Sequence, residues 1–216
     1  MRAALPCLLT LLASACAAPD RHALPEGSGA GLLYRDADPP PGAEICAAPQ
    51  WQQGQRFTLV AGGWARAEFV VAATGPAGHE LAESSGLRQF FTSDFAIAGQ
   101  EVAGAPASAV TNDPPDPILD FPLWPGKRWS AEFARRSAGA DAALLARADY
   151  LCETWETLRV PAGEMRALRI LRRLRRADDP AGEEQVALYW WAPEAGFFAR
   201  KLEDGVLLEL EEARRP

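Results

Sequence analysis

Histidine is nearly missing. Two residues, His22 and His79, serve all 216 positions. A three-histidine zinc site is therefore excluded, and nucleophiles have almost no imidazole to activate them, which argues against a hydrolase. Lysine is as scarce: two of the 22 cationic residues are Lys and the rest are Arg. With the abundant Ala, Gly and Pro, this reads as a GC-rich coding bias rather than a site. The net charge of −7 excludes a nucleic-acid footprint. No pair among the four cysteines has finger spacing, and there is neither a Gly-x-Ser-x-Gly elbow nor a P-loop. Gly27-Ser28-Gly29-Ala30-Gly31 does not follow a strand. Asp113, Asp116 and Asp120 fall among prolines and miss the alternate-residue spacing of a calcium loop, so they read as solvated loop. The sequence calls for no cofactor, no metal and no catalytic residue.

What is present begins at the N-terminus. Met1-Arg2 precedes an uncharged run of 13 residues, Ala3 to Ala15, ending in Ala13-Ser14-Ala15-Cys16. A bilayer-spanning helix needs roughly 20 apolar residues, so this run suits a cleaved signal. Together these features resemble a bacterial lipoprotein signal. The resemblance implies loss of residues 1–15 and a lipid on the Cys16 thiol. Ala17 stands where an inner-membrane retention signal places Asp, so the implied address is the outer membrane, facing the periplasm. Conventional cleavage after Ala15-Cys16-Ala17 is the competing reading. An oxidising envelope lets the two remaining cysteines, Cys46 and Cys152, pair. Such a bridge closes a loop of about 100 residues, worth up to roughly 4–5 kcal/mol in a chain-entropy account. Two unrelated buried thiols are the alternative.

Residues 16–48 read as a flexible tether rich in Pro and Gly, with Leu32-Leu33-Tyr34 able to add an edge strand. Residues 49–211 read as an antiparallel β domain, and 212–216 as a tail. The C-terminal half is the most legible part. Asp204-Gly205 separates Phe197–Leu202 from Val206–Glu211, a strong hairpin signal because both turn positions favour positive φ. Pro193-Glu194-Ala195-Gly196, Asp178–Gly182 and Val160-Pro161-Ala162-Gly163 separate further strands at Val186–Trp191, Arg166–Arg176 and Tyr150–Arg159. Ala131–Ala148 reads as two strand ends around a loop at Ser137–Ala142. In the N-terminal half, Arg56–Val60, Ala65–Ala72, Arg88–Ile97 and Ile118–Leu123 are strand candidates, and residues 98–117 read as a loop. Gly54-Gln55-Arg56-Phe57-Thr58 matches Gly126-Lys127-Arg128-Trp129-Ser130, and each is followed by a Pro-Ala-Gly turn. Two similar half-sheets, 49–114 and 115–211, or chance in so Ala- and Gly-rich a chain, account for this.

Three stretches carry a family resemblance: Phe121-Pro122-Leu123-Trp124-Pro125-Gly126-Lys127-Arg128-Trp129-Ser130, Val160-Pro161-Ala162-Gly163-Glu164-Met165-Arg166-Ala167, and Tyr189-Trp190-Trp191-Ala192-Pro193-Glu194-Ala195-Gly196. In this order and spacing they resemble the TapB-like exported bacterial β-sheet proteins. Glu164-Met165 and Ala195 depart from that pattern. The resemblance implies a mainly β fold, a curved antiparallel sheet or half-barrel meander, and brings no catalytic residues.

Among side chains, His79 reads as an exposed loop residue. Arg172, Arg173, Arg175 and Arg176 face Asp178, Asp179, Glu183 and Glu184 across a turn, a cross-strand charge ladder. Trp129, Trp155, Trp190 and Trp191 fall on strands. Trp190 and Trp191 are adjacent and point to opposite faces, so one leaves a single-layer core unless loops or the N-terminal half-sheet cover it. An aromatic surface for an apolar ligand or an envelope protein partner is the functional reading of these four. The expected function is a non-catalytic binding or carrier module attached to the membrane by its N-terminal lipid. A structural interaction protein of the envelope is the alternative.

Overall fold

The computed structural model describes residues 31–62 and 65–216. The signal, Cys16, His22 and the first part of the expected tether, residues 16–30, lie outside the described residues. Thirteen strands follow one another with no helix among the described residues: β1 (Leu32–Arg35), β2 (Arg56–Ala61), β3 (Ala65–Gly75), β4 (Gly78–Glu83), β5 (Leu87–Phe91), β6 (Ile97–Val102), β7 (Ala105–Asp116), β8 (Arg128–Ser137), β9 (Leu144–Val160), β10 (Gly163–Arg176), β11 (Gln185–Ala192), β12 (Phe197–Glu203) and β13 (Val206–Arg214).

From β2 to β13 each strand pairs antiparallel with the next, and β13 returns to β2 through Arg214↔Arg56 and Glu209↔Val60. The expected curved sheet closes into a barrel of 12 strands. Closure leaves no long unpaired edge, the usual liability of an antiparallel meander. β1 lies outside the circuit. It pairs with the first half of β8 (Leu32↔Ala131, Arg35↔Trp129), while β7 holds the same edge of β8 further on (Val110↔Ser137, Asp113↔Ala134). The chain from Leu32 onward is thus built into the fold, where the sequence reading placed a tether up to residue 48.

Two halves of six strands, β2–β7 and β8–β13, begin alike. Gln52 O, Gln55 and Val71 exchange the same backbone hydrogen bonds at the start of β2 as Trp124 O, Lys127 and Cys152 exchange at the start of β8. Phe57 and Trp129, at matching places in the two motifs, both point inward and are buried. Gly78 and Gly163, which end the two Pro-Ala-Gly turns, have φ of 125° and 123°. Only glycine adopts that region without strain.

Three N-terminal expectations need correction. The strand expected over Arg88–Ile97 is broken by a turn at Thr92–Ala96, where the Thr92 hydroxyl binds the Ala96 amide and buried Phe95 takes φ 68°. Residues 98–117 form most of β6 and β7 rather than a loop, because Ala103-Gly104 makes a hairpin and the prolines at 114 and 115 fall where β7 leaves its partner. Ile118–Leu123 is not a strand. It crosses the barrel end with Ile118, Leu119 and Leu123 buried.

The up-and-down order gives the barrel two unlike ends. At the base lie the turns ending in Gly78 and Gly163, and the segments 43–55 and 117–127 fold across it. Trp51 packs edge-on to Phe91 and Phe95, Phe57 stacks on Phe197 at 4.1 Å, and Trp191 meets Phe121 and Phe198. Each such ring contributes on the order of 1.5–3 kcal/mol by leaving water. At the opposite end, the rim, stand the Ala103-Gly104 and Asp204-Gly205 turns and the longer loop from Ala177 to Glu184.

Candidate functional site

Above the aromatic base, the barrel interior turns polar. Arg172 lies in phase with Leu168, Ile170 and Leu174 on the inner face of β10, and its Nη2 donates to Asp116 Oδ2 at 2.6 Å. The Tyr150 hydroxyl donates to Asp116 Oδ1, and Arg172 Nε donates to that hydroxyl at 3.3 Å. Tyr189 OH donates to Glu203 Oε1 at 2.9 Å, Arg172 Nη1 stands 3.7 Å from the same carboxylate, and Lys201 Nζ stands 3.9 Å from Glu203 Oε2. Small residues on neighbouring strands, Ala131, Ala146 and Ala148, leave room for these long side chains.

Burial alone would lower Arg172, but Tyr150 and Asp116 beside it hold its proton well above the ordinary range. Burial raises Tyr150 and Tyr189 and lowers Lys201. The buried Arg172 and Asp116 pair with opposite charge, which meets the condition for keeping charge inside a protein, while Glu203 and Lys201 pair at the more exposed side of the layer. Asn112, also buried, donates to Ile97 O and leaves its Oδ1 without a protein partner, next to Arg135 across the β7–β8 pair. Sequence reading missed this layer. Arg172 was grouped with the charge ladder, and Asp116 was read as solvated loop. The ladder keeps Arg173–Glu184 at 3.0 Å and Arg176–Asp178 at 2.7 Å, while Arg175 turns to Asp149 at 3.4 Å.

Between this layer and the rim, Leu144, Ala146, Leu174 and Gln185 line a cavity of about 320 Å³ under the β10–β11 loop. Leu144, Ala146 and Leu174 supply its apolar wall, and Arg175, Arg176, Asp179, Glu183 and Gln185 its polar lining. A larger, charged cleft of about 660 Å³ runs over β2, β3 and β13, lined by Arg56, Arg66, Glu68, Glu211, Glu212 and Arg214 among others. Arg66 and Glu211 already pair within it at 2.6 Å.

The four tryptophans do not make one surface. Trp129 and Trp191 are buried inside, Trp129 stacked on Tyr150 at 5.0 Å. Trp190 points outward, as adjacency required, and is 7% exposed. Neither loops nor the N-terminal half covers it. The long β9–β10 hairpin bends at the Leu168/Ile170 bulge, and its tip binds β13 through Ala162 N to Leu210 O. Glu156 on that hairpin accepts the Trp190 indole at 2.8 Å, and the Arg200 guanidinium lies 5.5 Å from the ring centre. Trp155 is half-buried beneath Arg166.

His79 is not an exposed loop residue. It lies on the inner face of β4, stacked on Phe95 at 4.6 Å, with Nδ1 at 2.7 Å from the Thr74 hydroxyl. Burial lowers its pKa. The expected Cys46–Cys152 bridge is not formed, and both cysteines are free, buried thiols. Cys46 is held by its bridge to Leu123, and Cys152 by backbone bonds to Gly126 and Lys127. Burial pushes Cys46 up to about 11 and Cys152 up to about 12. Below them, Lys127 Nζ sits 2.7 Å from Asp120 and over the Trp124 ring at 4.8 Å, and Arg35 of β1 joins the same carboxylate. Among the described residues no group of three His, Cys, Asp or Glu could hold a metal.

No family model matches the sequence, and no curated protein matches it, so the TapB-like resemblance rests on its motifs alone. Solved structures give weak likenesses. The hypothetical lipoprotein YmcC from Escherichia coli is 11% identical with a TM-score of 0.49, covering 77% of this chain and 90% of that one. A candidate lipoprotein from Parabacteroides distasonis is 10% identical with a TM-score of 0.41, covering 79% and 100%. A candidate exported protein with a YmcC-like fold from Bacteroides fragilis is 14% identical with a TM-score of 0.36, covering 80% and 100%.

Proposed function

We propose that this protein is a lipoprotein of the cell envelope, held at the outer membrane by Cys16, whose barrel takes an apolar ligand through its rim without acting on it chemically. The observation that carries the ligand reading is the cavity walled by Leu144, Ala146 and Leu174 at the rim of the barrel, beneath the β10–β11 loop. Its volume lies at the lower bound of the roughly 300–1,000 Å³ of small-molecule sites, which suits a single acyl chain or a small ring system. The polar layer beneath it forms a floor: Asp116, Arg172, Tyr150 and Glu203 bind one another, so an entering chain stops there. The signal at residues 1–16 supports the anchor and the address.

Titration with N-phenyl-1-naphthylamine, an apolar dye that brightens out of water, tests the ligand reading. Saturable enhancement is expected, and Leu144→Glu, at a side chain already 37% exposed, weakens it at least roughly tenfold with an unchanged unfolding midpoint. A folded protein that gives no saturable enhancement overturns it. Mass spectrometry of the mature N-terminus tests the anchor, and an unmodified start at Ala17 or Ala18 overturns that part.

A further inference from the structure

The exposed large apolar residues are not scattered. Among the described residues they are Leu33, Ile45, Val102, Leu144, Leu145, Val186, Val206 and Leu207. The last six all stand at the rim, at the end of β6 and the starts of β9, β11 and β13. Leu144 and Val206 face the interior side of the rim. Leu145, Val186 and Leu207 face outward.

The outward set continues down the wall. Leu171 pairs with Leu151 and Leu188, Leu188 with Leu202, and Leu202 with Leu207. Arg172 and Ile170 point inward, so this row of five leucines lies on the outer face of β9–β13. Below the row the wall becomes charged, with Glu153–Arg169 at 2.5 Å and Arg200–Glu209 at 2.6 Å flanking Trp190, and on β9 and β10 it is charged above the row as well, where Arg175 meets Asp149 at 3.4 Å and Arg173 meets Glu184 at 3.0 Å. The apolar band therefore reaches the rim only on β11–β13, through Val186 and Leu207, as the uppermost part of that side of the barrel. That is too short for a membrane span, since a transmembrane strand needs about 9–11 residues, but it suits shallow contact with a bilayer surface.

The path of the chain selects the occupant. From Asp36 back to Gly31, the partners on β8 run from Arg128 to Glu132, so the N-terminal strand is directed toward the rim. Five more residues of β8 lead from Glu132 to the rim at Ser137, about 17 Å at strand spacing. The residues from Ala17 to Gly31 reach up to roughly 50 Å when extended, so Cys16 and the rim meet one membrane without strain. We propose that the rim of β11–β13 docks on the bilayer in which Cys16 is anchored, bringing the adjoining cavity mouth to the lipid surface. This rests on the lipoprotein reading above. The acidic β10–β11 loop belongs to the same rim, and only Asp178 and Glu184 are neutralised there by Arg176 and Arg173. The matching surface is therefore zwitterionic lipid rather than anionic lipid.

The test uses the full-length lipidated protein in phosphatidylcholine vesicles carrying brominated acyl chains, which quench tryptophan at shallow depth. Leu207→Trp and Val186→Trp report on the rim, and Ile45→Trp on the base, each read as the emission added over wild type. Loss of roughly half the added emission at 207 and 186, with none at 45, is expected for insertion of about 5–10 Å. Hydrogen exchange of the wild type gives the same answer without substitution, through vesicle-dependent protection of residues 186 and 207. Co-sedimentation with vesicles but no quenching at 207 and 186 overturns the docking, leaves the anchor standing and assigns the leucine band to a protein partner. Equal quenching at rim and base also overturns it. Failure to co-sediment overturns the anchor and the docking together.

Discussion

Asp116 and Arg172 meet at 2.6 Å in the middle of the barrel, one from the end of β7 and the other from β10, with β8 and β9 between their strands. Removing one partner leaves a buried charge with nothing to answer it. Asp116→Ala is expected to destabilise by about 3–5 kcal/mol in denaturant titration. Asp116→Ala with Arg172→Met removes both charges, and the double variant should be more stable than Asp116→Ala alone. A double variant weaker than the single one would show that Arg172 does not depend on this carboxylate.

Cys46 and Cys152 should resist alkylation in the native protein at pH 8, because burial holds their pKa values at about 11 and about 12 against an ordinary 9.0. Both should react once denaturant is added without reductant. The unfolded thiols ionise from about pH 9 while the folded ones keep their protons, so stability is full below that pH and falls as pH rises toward 11. Counting modified cysteines by intact mass decides the point, and a denatured chain that takes up no label contradicts the free thiols.

His79 works in the opposite pH direction. Burial lowers its pKa, so the unfolded chain binds the proton more readily than the folded one. Its contribution is present above the unfolded pKa of about 6.5 and is lost as pH falls below it. His79→Phe keeps the stack on Phe95 and should flatten the fall in melting temperature between about pH 7 and pH 5. An unchanged slope in the variant would place that pH dependence elsewhere.

Gly78 and Gly163 share one backbone conformation but not one environment. A Cβ on Gly78 would come within 2.1 Å of Phe91 O, whereas nothing lies within 4 Å of one on Gly163. Gly163→Ala should cost only the conformational strain, on the order of 1–3 kcal/mol. Gly78→Ala must also push β5 away and should cost clearly more in the same unfolding assay. Equal losses would mean that the β4–β5 contact yields freely.

The sequence made the C-terminal hairpins plain because each has a local cause: Asp204-Gly205, Pro193–Gly196 and Pro161–Gly163 stop one strand and start the next. β6 and β7 were hidden because Ala, Ser and Pro carry little strand signal. Their pairing is set by neighbours, as β-propensity generally is. Ring closure left no local trace at all, since β2 and β13 lie at opposite ends of the domain. The polar layer had a trace that went unread. Arg172 falls in phase with Leu168, Ile170 and Leu174, and a charge on the apolar side of a strand needs an internal partner. His79 carried the same kind of signal, two residues before buried Leu81. The fate of Trp190 was only half legible. Adjacency to Trp191 dictates opposite faces, but the bend that folds the β9–β10 tip over it depends on a bulge with no distinctive residue.

The return of β13 to β2 has a consequence for the order of events during folding. Arg56 finds its second neighbour only in Arg214, 158 residues further along the chain (214 − 56). A polypeptide emerging N-terminus first can zip adjacent hairpins, yet its opening barrel strand keeps a bare edge until β13 has emerged. Such distant pairing is slow to form. The unfinished protein is therefore most exposed to sticking along β2, and whatever shields emerging chains has to guard that edge until β13 arrives.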